Sequence, residues 1–412
     1  MVECAPMREW PERWLFFLSV ATAAAVLVSI AASQILLAIT LLVWILARPG
    51  RIRWPGYLLP LAAFMLTSTV ALLASPDPGA GLPAIRKFVL FSIGPLASTF
   101  VIDERRYSIF IKVLVAVAVV ASVIGMIQFA GYYSGYLLEG TLDNDPVNLA
   151  RITGPVGHWM TFSGQHMLIW SALLPAAWIL GTRWNRLLVS FFAVTLLLTL
   201  TRSVWVGALA AVFVVIPYLG SRALLKLVIP IGLMAILIPT LLVQRISIGF
   251  QEGGFAPDQA RLDMIGAGLR MVGANPLFGV GPNRTGTEFS NYYRGDELDS
   301  FYYGHLHNNF IQIAAERGLF CLVSILWLFA KMATDLARFA RSDVPRIRWT
   351  AVSGLSVLTA FVVGGLFEYN FGDSEVFMLF LFLISIPYGI ARLRTVGEKP
   401  GRSPISEAVD RY

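Results

Sequence analysis

Cysteine and histidine are scarce in this chain: two cysteines, Cys4 and Cys321, and four histidines in 412 residues. Two cysteines supply neither a disulfide framework nor a four-cysteine zinc site, and so few histidines exclude a metal-rich enzyme. Charge is short as well. Only 14% of the residues are Asp, Glu, Lys or Arg, against about 25% in a water-soluble globular domain. A Gly-rich phosphate loop of the Walker type is missing, which excludes an ATP-driven pump. So is the internal repeat from which many secondary transporters are built. Apolar residues, by contrast, make up 57% of the chain, and this balance predicts an all-α integral membrane protein. The formal charge of +7 would suit nucleic acid only if the basic residues shared one soluble face. They lie between apolar segments instead, so nucleic acid is not an expected partner and the basic excess reads as topology.

About 20 predominantly apolar residues cross a bilayer as a helix. By that measure about twelve spans are predicted, at 13–31, 33–47, 57–74, 84–101, 108–130, 158–180, 186–200, 203–219, 223–243, 308–331, 348–370 and 374–393. Arg8, Arg13 and the small residues Ala21–Ala25 also fit a cleaved signal peptide, but the even number of spans and the charge pattern favour retention. With the N-terminus in the cytoplasm, 22 of the 32 Lys and Arg fall in or beside cytoplasmic segments, as the positive-inside rule requires. Both termini are then cytoplasmic, and residues 394–412 form a cytoplasmic tail to a single polytopic domain, 1–412.

Two outward connections are too long to be turns: 131–157 and the large loop 244–307. Long loops in compact folds are usually functional. All four histidines, His158, His166, His305 and His307, lie in these connections or at the adjoining helix ends, so the chemistry is expected on the outer face. Within the large loop, residues 258–272 carry Leu262, Ile265, Leu269 and Val272 at helical spacing, with Asp258 placed to cap the start. This predicts an amphipathic surface helix in which Arg261 flanks the apolar face and Asp263 and Arg270 point toward water. An arginine held at an apolar margin suits a lipid phosphate, although a snorkelling interfacial side chain has the same placement. A Pro- and Gly-rich turn, Asn275–Pro282, follows. Beyond it come Tyr292, Tyr293, Tyr302 and Tyr303, rings that suit sugar faces or an interfacial aromatic belt.

At His307-Asn308, followed nine residues later by Gly318 within HNNFIQIAAERGLF, the chain resembles the O-antigen ligase and polymerase superfamily. TRSVWVGA at 201–208, RLDMIGAGLRMVGANPLFGVG at 261–281 and RITGPVGHWMTFSGQ at 151–165 extend the resemblance, which runs over roughly 84–385. Cys321 stands where some members have Gly, Thr or Tyr. The resemblance implies a fold like that of C-type glycosyltransferases, with one large periplasmic loop, in the bacterial inner membrane with the site facing the periplasm. It implies transfer of a glycan from undecaprenyl diphosphate to the lipid A-core oligosaccharide, among membrane lipids and without a metal or other cofactor. The essential histidine of the family corresponds to His307, and its two arginines to Arg202 and Arg261, with Arg270 and Arg284 as neighbours of the latter. Those residue types fit the chemistry on their own terms: the acceptor hydroxyl needs a base, and the departing diphosphate needs fixed positive charge.

Further substrate-binding candidates are His305, Asn308, His158, Tyr303 and Glu316. His305 and His307 have the spacing of a metal-binding pair, but no third or fourth ligand stands at diagnostic spacing, so no metal is expected. Asp143-Asn144-Asp145 has the Asp-x-Asp spacing of some metal-dependent glycosyltransferases, although the following Pro146 favours a turn. Glu316 and Arg317 lie inside a span, where charge is costly unless it is paired or faces a cavity. His166 is read as a packing residue. Glu368, Asn370 and Asp373 either bind sugar hydroxyls or solvate a loop. Three alternatives keep the same sequence features: an O-antigen or exopolysaccharide polymerase, a protein O-oligosaccharyltransferase, and, from another class, a polysaccharide or lipid transporter with a histidine gate.

Overall fold

The computed structural model describes residues 9–48, 52–101, 103–139, 151–179, 182–219, 256–294 and 304–392, and among them every regular element is helical. The helices are α1 (Glu9–Ala25), α2 (Ile30–Ala47), α3 (Leu58–Leu73), α4 (Pro78–Arg86), a 3-10 turn (Lys87–Ser92), α5 (Ile93–Phe100) and α6 (Glu104–Glu139). After a second 3-10 turn (Gly154–Val156) come α7 (Trp159–Ile179), α8 (Arg183–Leu198), α9 (Arg202–Leu219), α10 (Ala256–Ala274), α11 (Thr285–Tyr292), α12 (Asn309–Phe339), α13 (Pro345–Gly364) and α14 (Ser374–Ala391). Six helical segments among the described residues are long and apolar enough to cross a membrane. They include α2, α6, α12, α13 and α14, and α4 to α5 counts as one. The ninth predicted span, 223–243, lies outside the described residues, as do Asp143-Asn144-Asp145, Tyr302, Tyr303 and the tail.

The bundle is apolar outside as well as inside, as a lipid solvent permits. Ile35, Leu42, Ile45 and Leu46 of α2 and Leu59, Leu66 and Leu73 of α3 are exposed. The interior holds most of α14, whose residues Val376 to Ile390 are all buried, together with aromatic contacts such as Phe361 stacked on Phe380 at 4.1 Å. Buried hydroxyls turn back onto their own helix, as Ser19 does to the Leu15 carbonyl at 2.7 Å and Thr40 to Leu36 at 2.6 Å, because an unpaired polar group costs most where water is absent. His166 behaves as its packing reading requires: it is fully buried, and its ring nitrogens lie 2.8 Å from the Phe162 carbonyl and 3.4 Å from that of Ala118. The first helix is part of this core, through Leu15, Val20 and Ala23.

Four sequence expectations about the loops change. The fifth span does not stop at 130 but continues as helix to Glu139, since an α-helix satisfies its own backbone and needs no lipid to extend. The loop helix α10 starts at Ala256, so Asp258 falls inside its first turn rather than before it. Its buried stripe is also not the predicted one. Met264, Ala267 and Met271 are buried, whereas Leu262 and Leu269 are 61% and 56% exposed. The physical reason is close approach to α12. A Cβ on Gly268 would meet Leu306 and Ile311 at 2.6 Å, so the face with the smallest residues docks, the adaptable methionines fill the edges, and the leucines form an outer ridge. Arg270 does not face water: its Nε donates to the Tyr292 carbonyl at 2.6 Å.

Candidate functional site

The site begins with a break in a helix. Gly318 in α12 has φ 79° and ψ 177°, a conformation essentially reserved for glycine. The break leaves the carbonyls of Ala315 and Glu316 free for the Pro- and Gly-rich turn. Val280 N–H donates to Ala315 at 2.8 Å, Gly281 N–H to Glu316 at 3.0 Å, and Leu319 N–H returns to the Pro276 carbonyl at 2.8 Å. The turn thus replaces helical hydrogen bonds that the break removes. A Cβ at Gly318 would collide with the Leu277 carbonyl, and one at Gly279, with φ 69°, would collide with the backbone of Ala315 to Arg317.

Three turns before the break, His307 sits just ahead of α12 with φ 48°, a left-handed backbone that a non-glycine residue rarely adopts. Asn308 caps the helix: its Oδ1 accepts from the N–H groups of Phe310 at 2.9 Å and Ile311 at 3.0 Å, while its Nδ2 donates to the Leu366 carbonyl at 2.8 Å. Asn309 N–H donates to Gly365 at 2.7 Å, and its Oδ1 accepts from Phe371 N–H at 3.0 Å. The two asparagines therefore hold the α13–α14 connection against the start of α12. Asn308, a substrate-binding candidate by sequence, thus has a structural task.

That connection carries Glu368. Its Oε2 lies 3.0 Å from His307 Nδ1, and its Oε1 accepts from Tyr369 N–H at 3.0 Å and lies 3.9 Å from His305 Nε2. Burial opposes ionisation of Glu368, but the hydrogen bond and charge of His307, with His305 and the Tyr369 N–H, outweigh it and hold the carboxyl below its usual range. An ionised carboxylate only accepts hydrogen bonds, so His307 donates to Glu368 from Nδ1. Burial, reinforced by neighbouring His307 and opposed by the Glu368 charge, lowers His305 to about 4. His305 is therefore neutral at neutral pH, and its Nδ1 accepts from the His307 N–H at 3.4 Å.

Beside these residues lies a cleft of about 350 Å³, within the usual range for small-molecule sites. His158, His305, Glu316, Arg317, Glu368 and Lys87 line it, with Phe64, Phe88, Phe91 and Phe377 as an apolar wall. His158 is placed from two sides. Gln128 of α6 holds the preceding loop through Thr153 N–H at 3.1 Å and Gly154 N–H at 2.9 Å, and Thr161, 3.3 Å from His158 Nδ1, donates to Asp373 at 2.6 Å. Lys87 donates to the Gly372 carbonyl at 2.6 Å. Arg317 is buried, with Nη1 3.3 Å from Ser68 Oγ and its guanidinium over Phe64, and its Nε has no hydrogen-bond partner among the described residues. Glu316 accepts from Thr285 at 2.8 Å and Gln312 at 2.9 Å, and Gln312 Oε1 accepts from Leu306 N–H at 2.7 Å. Glu316 and Arg317 are thus both cleft wall and network. Gln312→Ala leaves the buried Leu306 N–H without its acceptor and removes one of the two donors to Glu316, so a destabilisation of about 1–3 kcal/mol is expected in thermal unfolding of the detergent-solubilised protein.

The remaining candidates spread out. Arg261, half-buried on α10, is close enough for its charge to be felt at His305. Arg202 is exposed at the first residue of α9 and does not line the cleft. It does share an end of the bundle with His158, because Leu198 just before it packs with Ile152 and Phe162. Arg284 pairs with Glu288 beside a separate shallow hollow lined by Asn275–Val280. Tyr292 and Tyr293 serve the loop: the Tyr292 hydroxyl accepts from Asn275 Nδ2 at 3.0 Å, and the Tyr293 ring stacks on Phe289. Sequence reasoning missed Glu368 as the partner of His307 and Lys87 as a cleft cation; the former is 61 residues from His307, with no local signal joining them.

The fold and cleft define a polytopic helical membrane protein with a histidine-centred site at one end of the bundle. Over residues 187–326 the chain matches the family model described as O-antigen ligase, a domain of the superfamily that its motifs resemble. That domain indicates an O-antigen ligase- or polymerase-like membrane function of glycosyltransferase type. The match includes His307, Gly318, Arg202 and Arg261 and ends before Glu368. No curated protein matches the chain.

Proposed function

We propose that this protein is an O-antigen ligase that transfers a glycan from undecaprenyl diphosphate to the lipid A-core oligosaccharide. The observation that carries this reading is the buried Glu368 carboxylate 3.0 Å from His307 Nδ1, beside a cleft that contains cations and an apolar wall. Glu368 holds the imidazole in the tautomer whose Nε2 can accept a proton. Nε2 removes the acceptor proton, the oxygen attacks the anomeric carbon, and the diphosphate departs from the opposite face with inversion and without a metal. Its growing charge is met by Arg261 and Arg202, with Lys87 and Arg317 in the cleft wall. Twelve spans in the bacterial inner membrane, both termini in the cytoplasm and a periplasmic site complete the reading. The ridge of Leu262 and Leu269 then faces the carrier lipid from the large loop.

The test is to incubate purified protein with undecaprenyl-diphosphate glycan and lipid A-core, and resolve the products by mass. Glycan joined to the core supports the ligase reading. Longer glycan on the carrier identifies a polymerase instead, and absence of any new glycosidic bond removes glycosyl transfer. Glu368→Gln presents an amide that can donate to Nδ1 and so favours the wrong tautomer. It is expected to lower kcat on the order of a hundredfold or more with KM nearly unchanged, and equal losses in kcat and 1/KM would argue against a positioning role.

A further inference from the structure

Glu368 does more than face His307. Its two oxygens address two imidazoles, Oε2 toward His307 Nδ1 at 3.0 Å and Oε1 toward His305 Nε2 at 3.9 Å. The two rings are 4.2 Å apart between centroids and inclined at 60°. One donor atom from each of the three residues falls within 4.8 Å of the others. Two imidazole nitrogens and one carboxylate oxygen form a donor set of borderline-soft character that suits zinc and similar first-row ions, not magnesium, which prefers an all-oxygen shell. A zinc ion with bonds of about 2.0–2.1 Å keeps its ligands about 3.3 Å apart, so the atoms need to draw in by at most about 1.5 Å. The side chains have the freedom for it: His305 is 36% exposed and His307 18%. The contact given up at His305 is its long hydrogen bond from the His307 N–H, at 3.4 Å. Both histidines come from the approach to α12 and Glu368 from the α13–α14 connection, so the asparagine clamp that positions the base also assembles the three ligands.

We infer that His305, His307 and Glu368 form a binding site for a divalent transition-metal ion such as zinc, and that its occupation blocks His307. The block follows from proton placement. A neutral imidazole carries one proton; with a metal on Nδ1 that proton resides on Nε2, and the nitrogen facing the acceptor becomes a donor. No bond is made or broken in substrate, and removal of the metal restores the original tautomer. Transition-metal ions in the surrounding compartment would thereby switch the enzyme off reversibly. The inhibition, though not the binding, rests on the base role proposed above for His307.

Full-length protein in detergent, first stripped with EDTA, is titrated with zinc chloride by calorimetry and with cobalt chloride by absorption. One saturable zinc site is expected, with a cobalt d–d band of four- or five-coordinate intensity in the wild type and no heat from magnesium chloride. His305→Ala and Glu368→Gln are expected to weaken zinc binding at least about tenfold, with monodispersity checked for each. Absence of a saturable site, or wild-type affinity in both variants, overturns the site; the cobalt band in wild type reads the ligand set without any variant, so a variant that fails to fold leaves the proposal testable. Zinc at saturation is expected to reduce wild-type transfer at least tenfold and EDTA to restore it. Saturation with undiminished transfer overturns the block. His307→Asn assayed in EDTA reports on the base alone, so failure of that role is distinguishable from failure of the metal site.

Discussion

His307→Asn is expected to reduce glycan transfer by about 10²–10⁴-fold, the usual contribution of a positioned general base, while membrane insertion and thermal stability stay close to wild type. Asparagine is the informative replacement because His307 has φ 48°. Alanine pays the left-handed penalty there, whereas asparagine is among the residues that tolerate it. Its amide can still donate to Glu368, so the buried carboxylate, 3.0 Å from the native ring, keeps a partner. What disappears is the nitrogen that accepts a proton. Transfer is measured by product mass with undecaprenyl-diphosphate glycan and lipid A-core, at equal amounts of folded protein. Activity within a few-fold of wild type would remove His307 from the chemistry.

Gly318→Ala is expected to abolish transfer by a different route, through loss of structure. At φ 79° and ψ 177° a side chain is strained wherever it points, at a cost of about 1–3 kcal/mol. Here the added Cβ also overlaps the Leu277 carbonyl, and relief of that overlap requires the turn to leave α12. Three backbone hydrogen bonds of 2.8–3.0 Å join the two segments. Their loss would free the loop that carries α10 and Arg261. A destabilisation of about 3 kcal/mol or more is expected, read as a lower thermal midpoint in detergent and as new protease cleavage near residues 275–282. Wild-type stability and wild-type cleavage together would show that the turn and the helix do not approach this closely.

The two residues that define the motif read from sequence, His307 and Gly318, thus have unlike tasks. One carries a proton acceptor; the other opens the helix backbone so that a distant turn can dock. Spacing in the sequence displays both but separates neither. The same holds for Asn308, which is equally visible as a motif residue and proves to be a helix cap and a clamp on Leu366. Glu316 and Arg317 were legible as charges inside an apolar span, because cost in lipid makes such residues conspicuous. Whether they paired or faced a cavity was not, and both hold: Arg317 Nε lies 3.9 Å from Glu316 Oε2, and both residues line the cleft.

The sequence alone determined that this chain is helical and membrane-embedded, and it placed most helices near their observed positions. Each of those properties depends on local composition: a helix closes its own hydrogen bonds, and lipid demands long apolar runs. The sequence also marked His307 and Gly318, since their spacing is a property of one segment. Tertiary structure decided the rest. The wheel of α10 chose Leu262 and Leu269 as its buried face, but docking onto α12 depends on how closely two backbones can approach, and that selected Ala267 and Gly268. Likewise Glu368 meets His307 across 61 residues because the asparagines tie two chain connections together. Such a meeting is set by packing between segments, for which no single segment carries the signal.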